Sequence, residues 1–410
     1  MTEQQFVHII NRLGGKAYIV GGWVRDTIIG RKPKDKDYVV TGVHYPDFIA
    51  TFPTANQVGK SFPVFLLEID GDTCEVAFAR TERKVGVGYK GFEALYNTSV
   101  TIEQDLLRRD TTMNSIAAEL PGYKFIDCYD GINDIKAKII TATSDHFKDD
   151  PVRALRAARQ ASDLAFSIDS RTIALMSECT KELKLEPPER LFEELKKVLK
   201  TAEPSLFFKY LHKADLLATV FPEIHALIGQ TQPPEHHPEG DAFEHTMKII
   251  DQLASTPLPL KVRFAGLMHD IGKGMTPKEK LPKHIGHDTN GLAALNAFAN
   301  RIPLPTEWYK SAEIAIKHHM RVARMNQPRK IVEVLLEIAK NPIGIDGFRT
   351  IIFFDGGGVP LFLAKAEQIL AAINLVKGTD APDELQGKEI GNWLLHQRCM
   401  IVSTLMKKFD

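Results

Sequence analysis

The sequence predicts an α+β protein, in which a mixed sheet with its helices is followed by an all-α remainder. Up to about residue 138, short runs of β-branched and aromatic residues alternate with glycine turns and helix starts, a pattern typical of a mixed sheet. From Asp150 onward, apolar residues recur at intervals of three and four, the period of an amphipathic helix. The length of 410 residues is typical of two or three domains.

The N-terminal elements follow from local patterns. Apolar residues over 6–13 have helical spacing, and Gly14-Gly15 ends that helix. A capping-box pattern begins a helix over 101–109, and residues 110–114 are expected at a helix-to-strand junction. Strands are predicted at 17–20, 37–40, 64–67 and 75–79, and a glycine-rich loop at 85–91.

The helices of the second part are separated by proline and glycine. Asp150 and Pro151 fit the N-cap and first residue of a helix. Pro187-Pro188 interrupts the helical pattern, which resumes at Glu189. Loops are predicted at 231–241, 257–259, 303–305, 356–358 and 377–391.

The composition excludes several classes of protein. Basic and acidic residues number 52 each, so the net charge is +0 and nucleic-acid binding needs a local basic patch. The four cysteines have no CxxC spacing, which favours a reducing compartment. No apolar run approaches the ~20 residues of a membrane span, and the N-terminus lacks a basic signal region. We therefore expect a cytoplasmic protein that does not bind membranes.

A glycine pair precedes the second predicted helix. Gly21 and Gly22 would let backbone N–H groups approach a phosphate, and Arg25 lies in the same first turn. A glycine pair alone is more often a tight turn.

Two carboxylates mark the start of the next strand. Asp35 and Asp37 are two residues apart, so on a strand they would face the same side. Paired carboxylates suit Mg²⁺, which also binds substrate phosphates and could activate an attacking hydroxyl. A DxD sequence alone is usually a solvated turn, but the combination with the glycines and Arg25 is more specific.

These motifs occur in an order that resembles one family. The sequence is similar to the polymerase-β-like nucleotidyltransferases, and within them to the CCA-adding enzymes and their bacterial poly(A) polymerase relatives. The matching segments are GGWVRD (21–26), KDKDYVV (34–40), FARTERKVGVGYKGF (78–92), RRDTTMNSIAAEL (108–120), DCYDGINDI (127–135), DDPVRALRAARQA (149–161) and PPERLFEELKKVL (187–199).

The resemblance implies roles for further residues. Asp150 and Arg153 match the family's pair that selects cytosine and adenine without a template. Such a choice is chemically reasonable, because an aspartate accepts from the amino group of either base and an arginine donates to either acceptor edge. The nucleotide-binding set is Gly21, Gly22, Arg25, Arg109, Asp110, Asn114, Asp150, Arg153 and Arg156, with Asp35 and Asp37 as catalytic Mg²⁺ ligands.

Histidines mark the second half of the chain. His245, His269-Asp270, a pair at His284 and His287, and His318-His319 occur on helical segments, in a pattern that resembles the HD phosphohydrolase superfamily. The resemblance implies a transition metal such as Ni²⁺, held by His245, His269, Asp270 and Asp355. HHMRV (318–322) and the glycines after Asp355 depart from the family pattern, which leaves the metal occupancy of this site open.

The order of motifs resembles the multifunctional CCA proteins of bacteria. The resemblance implies addition of CCA to tRNA from CTP and ATP, with phosphatase, 2′,3′-cyclic phosphodiesterase and 2′-nucleotidase activity in the HD domain, and a possible homodimer. It divides the chain into a head (1–138), a neck (139–225), an HD domain (226–360) and a tail (361–410).

Three alternatives remain. A poly(A) polymerase usually carries a basic C-terminal extension and lacks the histidine series. A partial enzyme would add only CC or only A, although the segment from Arg80 to Phe92 argues against CC alone. A nucleotide-signalling HD hydrolase with an inactive head is disfavoured by the intact Asp35 and Asp37.

Overall fold

The computed structural model describes residues 1–58, 62–86, 91–235, 238–356 and 358–409, with the backbone alone at residue 92. The chain forms two compact units. The N-terminal unit comprises Met1–Arg190 and Leu206–Val220, and the C-terminal unit comprises Leu191–Ser205 and Phe221–Asp410. Within the described ranges, no helix has both the length and the apolar character required to cross a bilayer.

The strands confirm the predicted α+β class, since all of them lie in the N-terminal part of the described chain. They are β1 (Lys16–Val20), β2 (Asp37–Thr41), β3 (Asn56–Val58), β4 (Val64–Ile69), β5 (Asp72–Phe78), β6 (Thr81–Lys84), β7 (Phe92–Leu95), β8 (Ile116–Glu119), β9 (Lys124–Asp127), β10 (Ile139–Ile140) and β11 (Ser167–Ile168).

Seven of these strands form one sheet in the order β3-β4-β5-β2-β1-β8-β9. Strands β2 and β5 are parallel, with Asp37 in register with Glu75, whereas β1 and β2 are antiparallel. The sequence predicted β1, β2, β4 and β5 but neither β3 nor β9. The predicted loop at 85–91 connects β6 to β7, and its residues 87–90 lie outside the described chain.

The helices of the N-terminal unit flank this sheet and continue beyond it. Helix α1 begins with the capping box of Thr2 and Gln5, and α4 with that of Thr101 and Gln104, as the sequence predicted for α4. The helices that lie wholly in this unit are α1 (Glu3–Arg12), α2 (Gly22–Ile29), α3 (Tyr45–Thr51), α4 (Ile102–Leu107), α5 (Gly131–Ala137), α6 (Val152–Leu164), α7 (Ser170–Glu178), α8 (Thr180–Leu183) and α11 (Leu217–Val220). Most residues of α10 (Pro204–Lys213) also belong to it, whereas most residues of α9 (Pro188–Val198) belong to the C-terminal unit.

The start of α6 differs from the prediction by one residue. Pro151 is the N-cap and Val152 the first helical residue, so Asp150 lies before the helix. Its carboxylate still caps the helix, because the Val152 N–H donates to Asp150 Oδ1 at 3.1 Å.

Among the described residues of the C-terminal unit, the regular secondary structure is helical, apart from an isolated β-bridge between Thr231 and Asp241. Helix α14 packs against α13, α16 and α18, around a core that includes Ile249, Val262, Ala315 and Phe348. Its helices are α12 (Pro222–His225), α13 (Ala242–Ala254), α14 (Leu260–Met268), α15 (His287–Arg301), α16 (Thr306–Val322), α17 (Pro328–Lys340), α18 (Gly344–Asp355), α19 (Leu361–Ala364), α20 (Ala366–Leu375) and α21 (Lys388–Phe409). Short 3₁₀ turns lie at Thr112–Asn114, Asp145–Asp149, Ile271–Met275, Lys278–Lys280 and Gly378–Asp380.

Candidate functional site

A cleft of about 430 Å³ opens at the end of β1 and β2 in the N-terminal unit, and we call it the head cleft. It brings together side chains that are far apart in the sequence. Asp35 does not line it. The predicted site residues that do are Gly21, Gly22, Arg25, Asp37, Arg109, Asp110, Asn114, Asp150, Arg153 and Arg156.

Asp37 is the acidic centre of the head cleft. It is the first residue of β2 and lies in register with Glu75 of β5, and both residues line the cleft. Burial raises the pKa of Asp37 to about 6, and the nearby carboxylates of Glu75 and Asp35 contribute, although Arg109 opposes them. Carboxylates that line one cleft and repel one another are suitable ligands for a divalent cation.

The position of Asp35 corrects the strand argument. Strand β2 begins at Asp37, so Asp35 is not on the strand and the two residues do not share a strand face as predicted. Asp35 instead lines a neighbouring cavity of about 280 Å³ together with Lys36 and Tyr38. Its charge still raises the pKa of Asp37.

Glu75 was not identified from the sequence. It stands in the predicted strand 75–79, where the other described residues are apolar. An acidic residue in such a strand was the available signal, but the sequence alone does not show that β5 pairs with β2.

The turn between β1 and α2 faces the acidic centre. Gly21 has a φ of 72°, which a residue with a side chain rarely adopts. A Cβ built there would lie 3.6 Å from Arg109 NH1 and 3.9 Å from Asp37 Oδ2. The turn, the guanidinium and the carboxylate are therefore neighbours, and the N–H groups at the start of α2 add a favourable environment for an anion.

Arg109 is fixed by a buried acid. Asp105 is fully buried, and its Oδ2 accepts from Arg109 NH2 at 2.9 Å while its Oδ1 accepts from Arg108 NH2 at 2.6 Å. Burial opposes the ionisation of Asp105, but the two guanidinium groups outweigh it and hold its pKa well below the usual range. The buried carboxylate therefore orients both Arg108 and Arg109, which follow the last residue of α4.

Asp110 organises the opposite wall. It accepts from Arg156 Nε at 2.8 Å and from Asn114 Nδ2 at 3.0 Å, and Asn114 Oδ1 accepts from Arg25 NH1 at 3.1 Å. Gln160, which the sequence did not suggest, donates to the same carboxylate at 3.1 Å. Burial raises the pKa of Asp110, but Arg156 and Asn114 outweigh it and keep the group ionised. Asp110 thus contacts protein groups that themselves line the cleft.

Asp150 and Arg153 lie on the same wall. Arg190 NH2 lies 3.3 Å from Asp150 Oδ2, and Arg153 NH1 donates to the His146 carbonyl at 2.5 Å. Glu82 of β6, absent from the predicted set, lies 3.5 Å from Arg153 NH2.

Glu82 links that wall to two other arginines. Its Oε1 accepts from Arg80 Nε at 2.9 Å and from Arg108 NH1 at 3.0 Å. Both Arg80 and Glu82 belong to the FARTERK segment that carried the resemblance, which was the signal for including them.

A second group of polar side chains lies in the C-terminal unit. His245 of α13, His269 and Asp270 after α14, and Asp355 at the end of α18 place ligand atoms within 4.8 Å of one another, and we call them the HD cluster. His245 Nε2 lies 3.0 Å from Asp355 Oδ1, and His269 Nε2 lies 3.3 Å from Asp270 Oδ2. The glycines that follow Asp355 therefore do not prevent it from joining the predicted residues.

The imidazole of His269 is oriented for ligation. Its Nδ1 lies 2.7 Å from the Gly266 carbonyl, which directs Nε2 into the cluster. Within the described chain, His269 Nε2 and Asp270 Oδ1 are buried without a hydrogen-bond partner. Burial lowers the pKa of His269, but Asp270 and Asp355 outweigh it and raise the pKa to about 10. Buried imidazole and carboxylate groups that face one another fit a transition-metal site.

Two further histidines adjoin the HD cluster. His287 at the start of α15 and His319 of α16 form a second group with Asp270, with ligand atoms again within 4.8 Å. Lys273 Nζ lies 2.6 Å from Asp270 Oδ2. His319 is the second histidine of HHMRV, whereas His318 points elsewhere and lies 3.0 Å from Glu337 Oε2. From the sequence, His287 and His319 were placed in the histidine series but neither was predicted to be a metal ligand.

Comparisons with known proteins match segments in both halves of the chain. Three family models match: Poly A polymerase head domain over residues 17–141, Probable RNA and SrmB-binding site of polymerase A over 165–228, and HD domain over 242–341. A multifunctional CCA protein of Xanthomonas oryzae is 36% identical over 96% of this chain and 99% of its own length. That of Acinetobacter baylyi is also 36% identical, over 96% of this chain and 98% of its own length.

The chain belongs to the multifunctional CCA protein family. It is a nucleotidyltransferase with an HD domain, as the sequence predicted.

Solved structures share the fold of this multifunctional CCA protein family member. A Bacillus stearothermophilus CCA-adding enzyme in complex with CTP has a TM-score of 0.66 at 22% identity, over 98% of this chain and 94% of that one. A Thermotoga maritima CCA-adding enzyme complexed with tRNA has a TM-score of 0.61 at 20% identity, over 99% of this chain and 94% of that one. At this level of identity, the likeness shows the fold.

Proposed function

We propose that the head cleft transfers CMP and AMP from CTP and ATP to the 3′ end of tRNA and so completes the CCA sequence. The observation that carries this proposal is the juxtaposition of Asp37 and Glu75 with a wall of oriented arginines in one cleft. Membership of the multifunctional CCA protein family supports the choice of substrate.

The carboxylates form the reacting end of the cleft. Asp37 and Glu75, with Asp35 nearby, offer the hard oxygen ligands that Mg²⁺ prefers, and desolvation together with their mutual repulsion raises the pKa of Asp37. When bound, Mg²⁺ would activate the 3′ hydroxyl and neutralise charge on the triphosphate.

The arginines and the glycine turn hold the triphosphate. Arg109 is oriented by Asp105 and lies beside Gly21, and Arg25 is held by Asn114 and Asp26. Because these guanidinium groups are already fixed, binding the phosphates costs little side-chain ordering. Orientation of the α-phosphate towards the incoming hydroxyl is the main contribution of this wall.

Asp150 and Arg153 select the base. An aspartate accepts from N4 of cytosine or N6 of adenine, and an arginine donates to N3 of cytosine or N1 of adenine. Guanine and uracil present the opposite pattern at these positions. Glu82 and the His146 carbonyl restrict the guanidinium of Arg153, so the choice rests on a restrained donor.

One experiment tests the proposal and its alternatives. The purified protein is incubated with tRNA that ends at the discriminator base, with each nucleoside triphosphate singly and with all four, and the 3′ ends are sequenced. We expect CC with CTP alone and CCA when ATP is also present. A long A tail would identify a poly(A) polymerase, addition of A only to tRNA ending in CC would identify a partial enzyme, and no addition would contradict the proposal.

We further propose that the HD cluster hydrolyses phosphomonoesters and 2′,3′-cyclic phosphates. His245, His269, Asp270 and Asp355 would hold a transition metal such as Ni²⁺, which supplies an activated water for attack on phosphorus. The convergence of the buried His269 and Asp270 side chains with His245 and Asp355 supports a cation at this position. Release of phosphate from p-nitrophenyl phosphate and opening of 2′,3′-cyclic AMP, each with Ni²⁺, Co²⁺ or Mn²⁺, test it, and no hydrolysis with any of the three would contradict it.

A further inference from the structure

Helix α1 precedes the first strand and lies against the segment that carries Asp35 and Asp37. Phe6 of α1 is fully buried, with its ring centroid 5.3 Å from that of Tyr38, the residue after Asp37. The start of the helix is held by the turn between β4 and β5, since the Glu3 N–H donates to Asp70 Oδ1 at 3.1 Å and the Asp70 N–H donates to the Met1 carbonyl at 2.9 Å. The position of Glu3 is therefore set by its backbone as well as by packing.

The side chain of Glu3 contacts residues on both sides of Asp37. Glu3 Oε2 accepts from Lys36 Nζ at 2.7 Å and from the hydroxyl of Tyr38 at 2.7 Å. The hydroxyl of Tyr123 donates to the other carboxylate oxygen. The Glu3 side chain is only 14% exposed, and the residue Tyr38 is 1% exposed, so these bonds are shielded from water.

Lys36 lies between Asp35 and Asp37 in the sequence. Residues 32–36 lie outside helices and strands, so side-chain contacts must fix this segment. In the structure the ammonium of Lys36 pairs with Glu3 and lies 5.5 Å from the ring centroid of Trp23 and 5.7 Å from that of Tyr123. The two rings stack on each other, with centroids 5.8 Å apart.

The charges explain why this arrangement matters. A lysine between two aspartates that hold a divalent cation is a competing cation, because its ammonium can pair with either carboxylate. Glu3 provides Lys36 with a partner outside the head cleft. The burial of Glu3 opposes its ionisation, but hydrogen bonds from Lys36, Tyr123 and Tyr38 outweigh it and lower its pKa, so Glu3 is charged at neutral pH.

We propose that Glu3 is a positioning residue of the nucleotidyl-transfer site: it holds Lys36 away from Asp35 and Asp37 and so leaves these carboxylates available for the metal. This inference rests on the proposed role of the head cleft. It assigns to helix α1 a function in catalysis that acts through Lys36 and Tyr38 rather than by contact with substrate.

The first test measures metal binding without activity. Binding of Mn²⁺ to the full-length protein is followed by electron paramagnetic resonance, and the portion lost in Asp37→Asn is assigned to the head cleft. In Glu3→Gln, we expect the dissociation constant of that portion to rise about fivefold, the effect of one unit charge at ~4 Å in a high-dielectric setting. Unchanged Mn²⁺ binding in Glu3→Gln would overturn the proposal, whether or not the protein adds nucleotides.

The second test uses the reaction. The rate of CMP addition to tRNA lacking CCA is measured against Mg²⁺ concentration for the wild type, Glu3→Gln, Lys36→Met and the double variant. We expect the half-saturating Mg²⁺ concentration to rise about fivefold in Glu3→Gln and to return to within about twofold of wild type in the double variant, because the competing charge is gone. A purely structural role would lower the rate at every Mg²⁺ concentration, and removal of Lys36 would not correct it.

The controls separate this effect from general damage. Glu119→Gln breaks another carboxylate–lysine pair of the same length, that of Lys16 at 2.7 Å, and should leave the Mg²⁺ dependence unchanged. Glu3→Asp replaces Glu3→Gln if the latter unfolds below the assay temperature, and a smaller change in the same direction is expected. A wild-type protein that binds Mn²⁺ through Asp37 but adds no CMP would contradict the proposed function alone. A double variant that behaves as Glu3→Gln would contradict the role of Lys36.

Discussion

The pKa values of Asp37 in the head cleft and of His269 in the HD cluster are both raised. The shift favours the neutral form of Asp37 but the charged form of His269. Burial and the neighbouring carboxylates raise the pKa of Asp37 to about 6, and Arg109 offsets only part of this effect. At His269, burial is outweighed by Asp270 and Asp355, and the pKa rises to about 10, so the imidazole carries a proton that balances these acids. Lys273 adds a second positive charge beside Asp270.

The difference indicates how each site accepts a cation. In the head cleft, a bound metal would relieve the repulsion between the carboxylates and could also contact the nucleotide phosphates. In the HD cluster, a bound metal would replace the proton of His269, so its binding would release protons and depend on pH. The first site is suited to a hard cation shared with substrate, and the second to a resident transition metal with imidazole ligands.

The largest effect is expected from the acidic centre. Asp37→Asn should lower the rate of CMP and AMP addition by about 10³-fold or more, because it removes a charge on which the transition state depends. The thermal midpoint of the variant, measured without metal by circular dichroism, should equal or exceed that of the wild type, since the repulsion of Asp37 by Glu75 and Asp35 is lost. Hydrolysis of 2′,3′-cyclic AMP should remain near the wild-type rate. A rate of nucleotide addition within tenfold of wild type would show that Asp37 does not act at the reacting centre.

The reciprocal effect is expected in the HD cluster. Asp270→Asn should lower metal-dependent hydrolysis of p-nitrophenyl phosphate by about 10²-fold or more and leave CCA addition within twofold, because Asp270 belongs to both groups of potential ligands. Asp288→Asn is a matched control, since Asp288 lies next to His287 but pairs with Arg321 at 2.7 Å. Loss of CCA addition in Asp270→Asn but not in Asp288→Asn would show that the two sites do not act independently.

The two regions also differ in what the sequence could predict. In the N-terminal unit, the strands that carry motifs were located because glycines and carboxylates stand at their ends, whereas β9 (Lys124–Asp127) was missed since its lysine and aspartate give it little hydrophobic pattern. The position of Asp35 was predicted on a strand that begins only at Asp37. That error arose because an alternating pattern does not fix where a strand starts.

The site residues that were missed depend on tertiary contacts. Glu75 becomes a neighbour of Asp37 only through the parallel pairing of β5 with β2, and Gln160 reaches Asp110 only when α6 packs beside it. In the C-terminal unit, His287 and His319 meet at Asp270 from two different helices. Helical spacing within α16 does not distinguish His318 from His319, and only the packing of α16 against α14 and α15 directs His319 inward.

A smaller effect is expected in base selection. Arg153→Ala and Asp150→Ala should each reduce the preference for CTP over UTP, measured as the ratio of kcat/KM values, by about tenfold or more, the value of one or two base-edge hydrogen bonds. The KM for CTP should change less, because the proposed phosphate contacts of Arg25 and Arg109 are retained. Arg171→Ala is a suitable control on α7, where Arg171 pairs with Asp145 at the surface. Retained discrimination in both variants would assign selection to other residues.

The smallest effect is expected from pH, and it bears directly on the comparison of charges. If the ionised form of Asp37 holds the metal as proposed, its raised pKa of about 6 means that CMP addition at low Mg²⁺ should fall several-fold as the pH decreases from 7 through 6. Raising the Mg²⁺ concentration should move the midpoint to lower pH, because the metal competes with the proton for the same carboxylate. The measurement is a pH profile of the initial rate at two Mg²⁺ concentrations. The HD cluster should respond in the same direction but in a higher pH range: its affinity for Ni²⁺ should increase as the pH rises towards 10, the region in which His269 loses its proton. A pH profile of CMP addition that does not move with Mg²⁺ would mean that Asp37 titrates independently of the metal, and the contrast between the pH ranges of the head cleft and the HD cluster would then be lost.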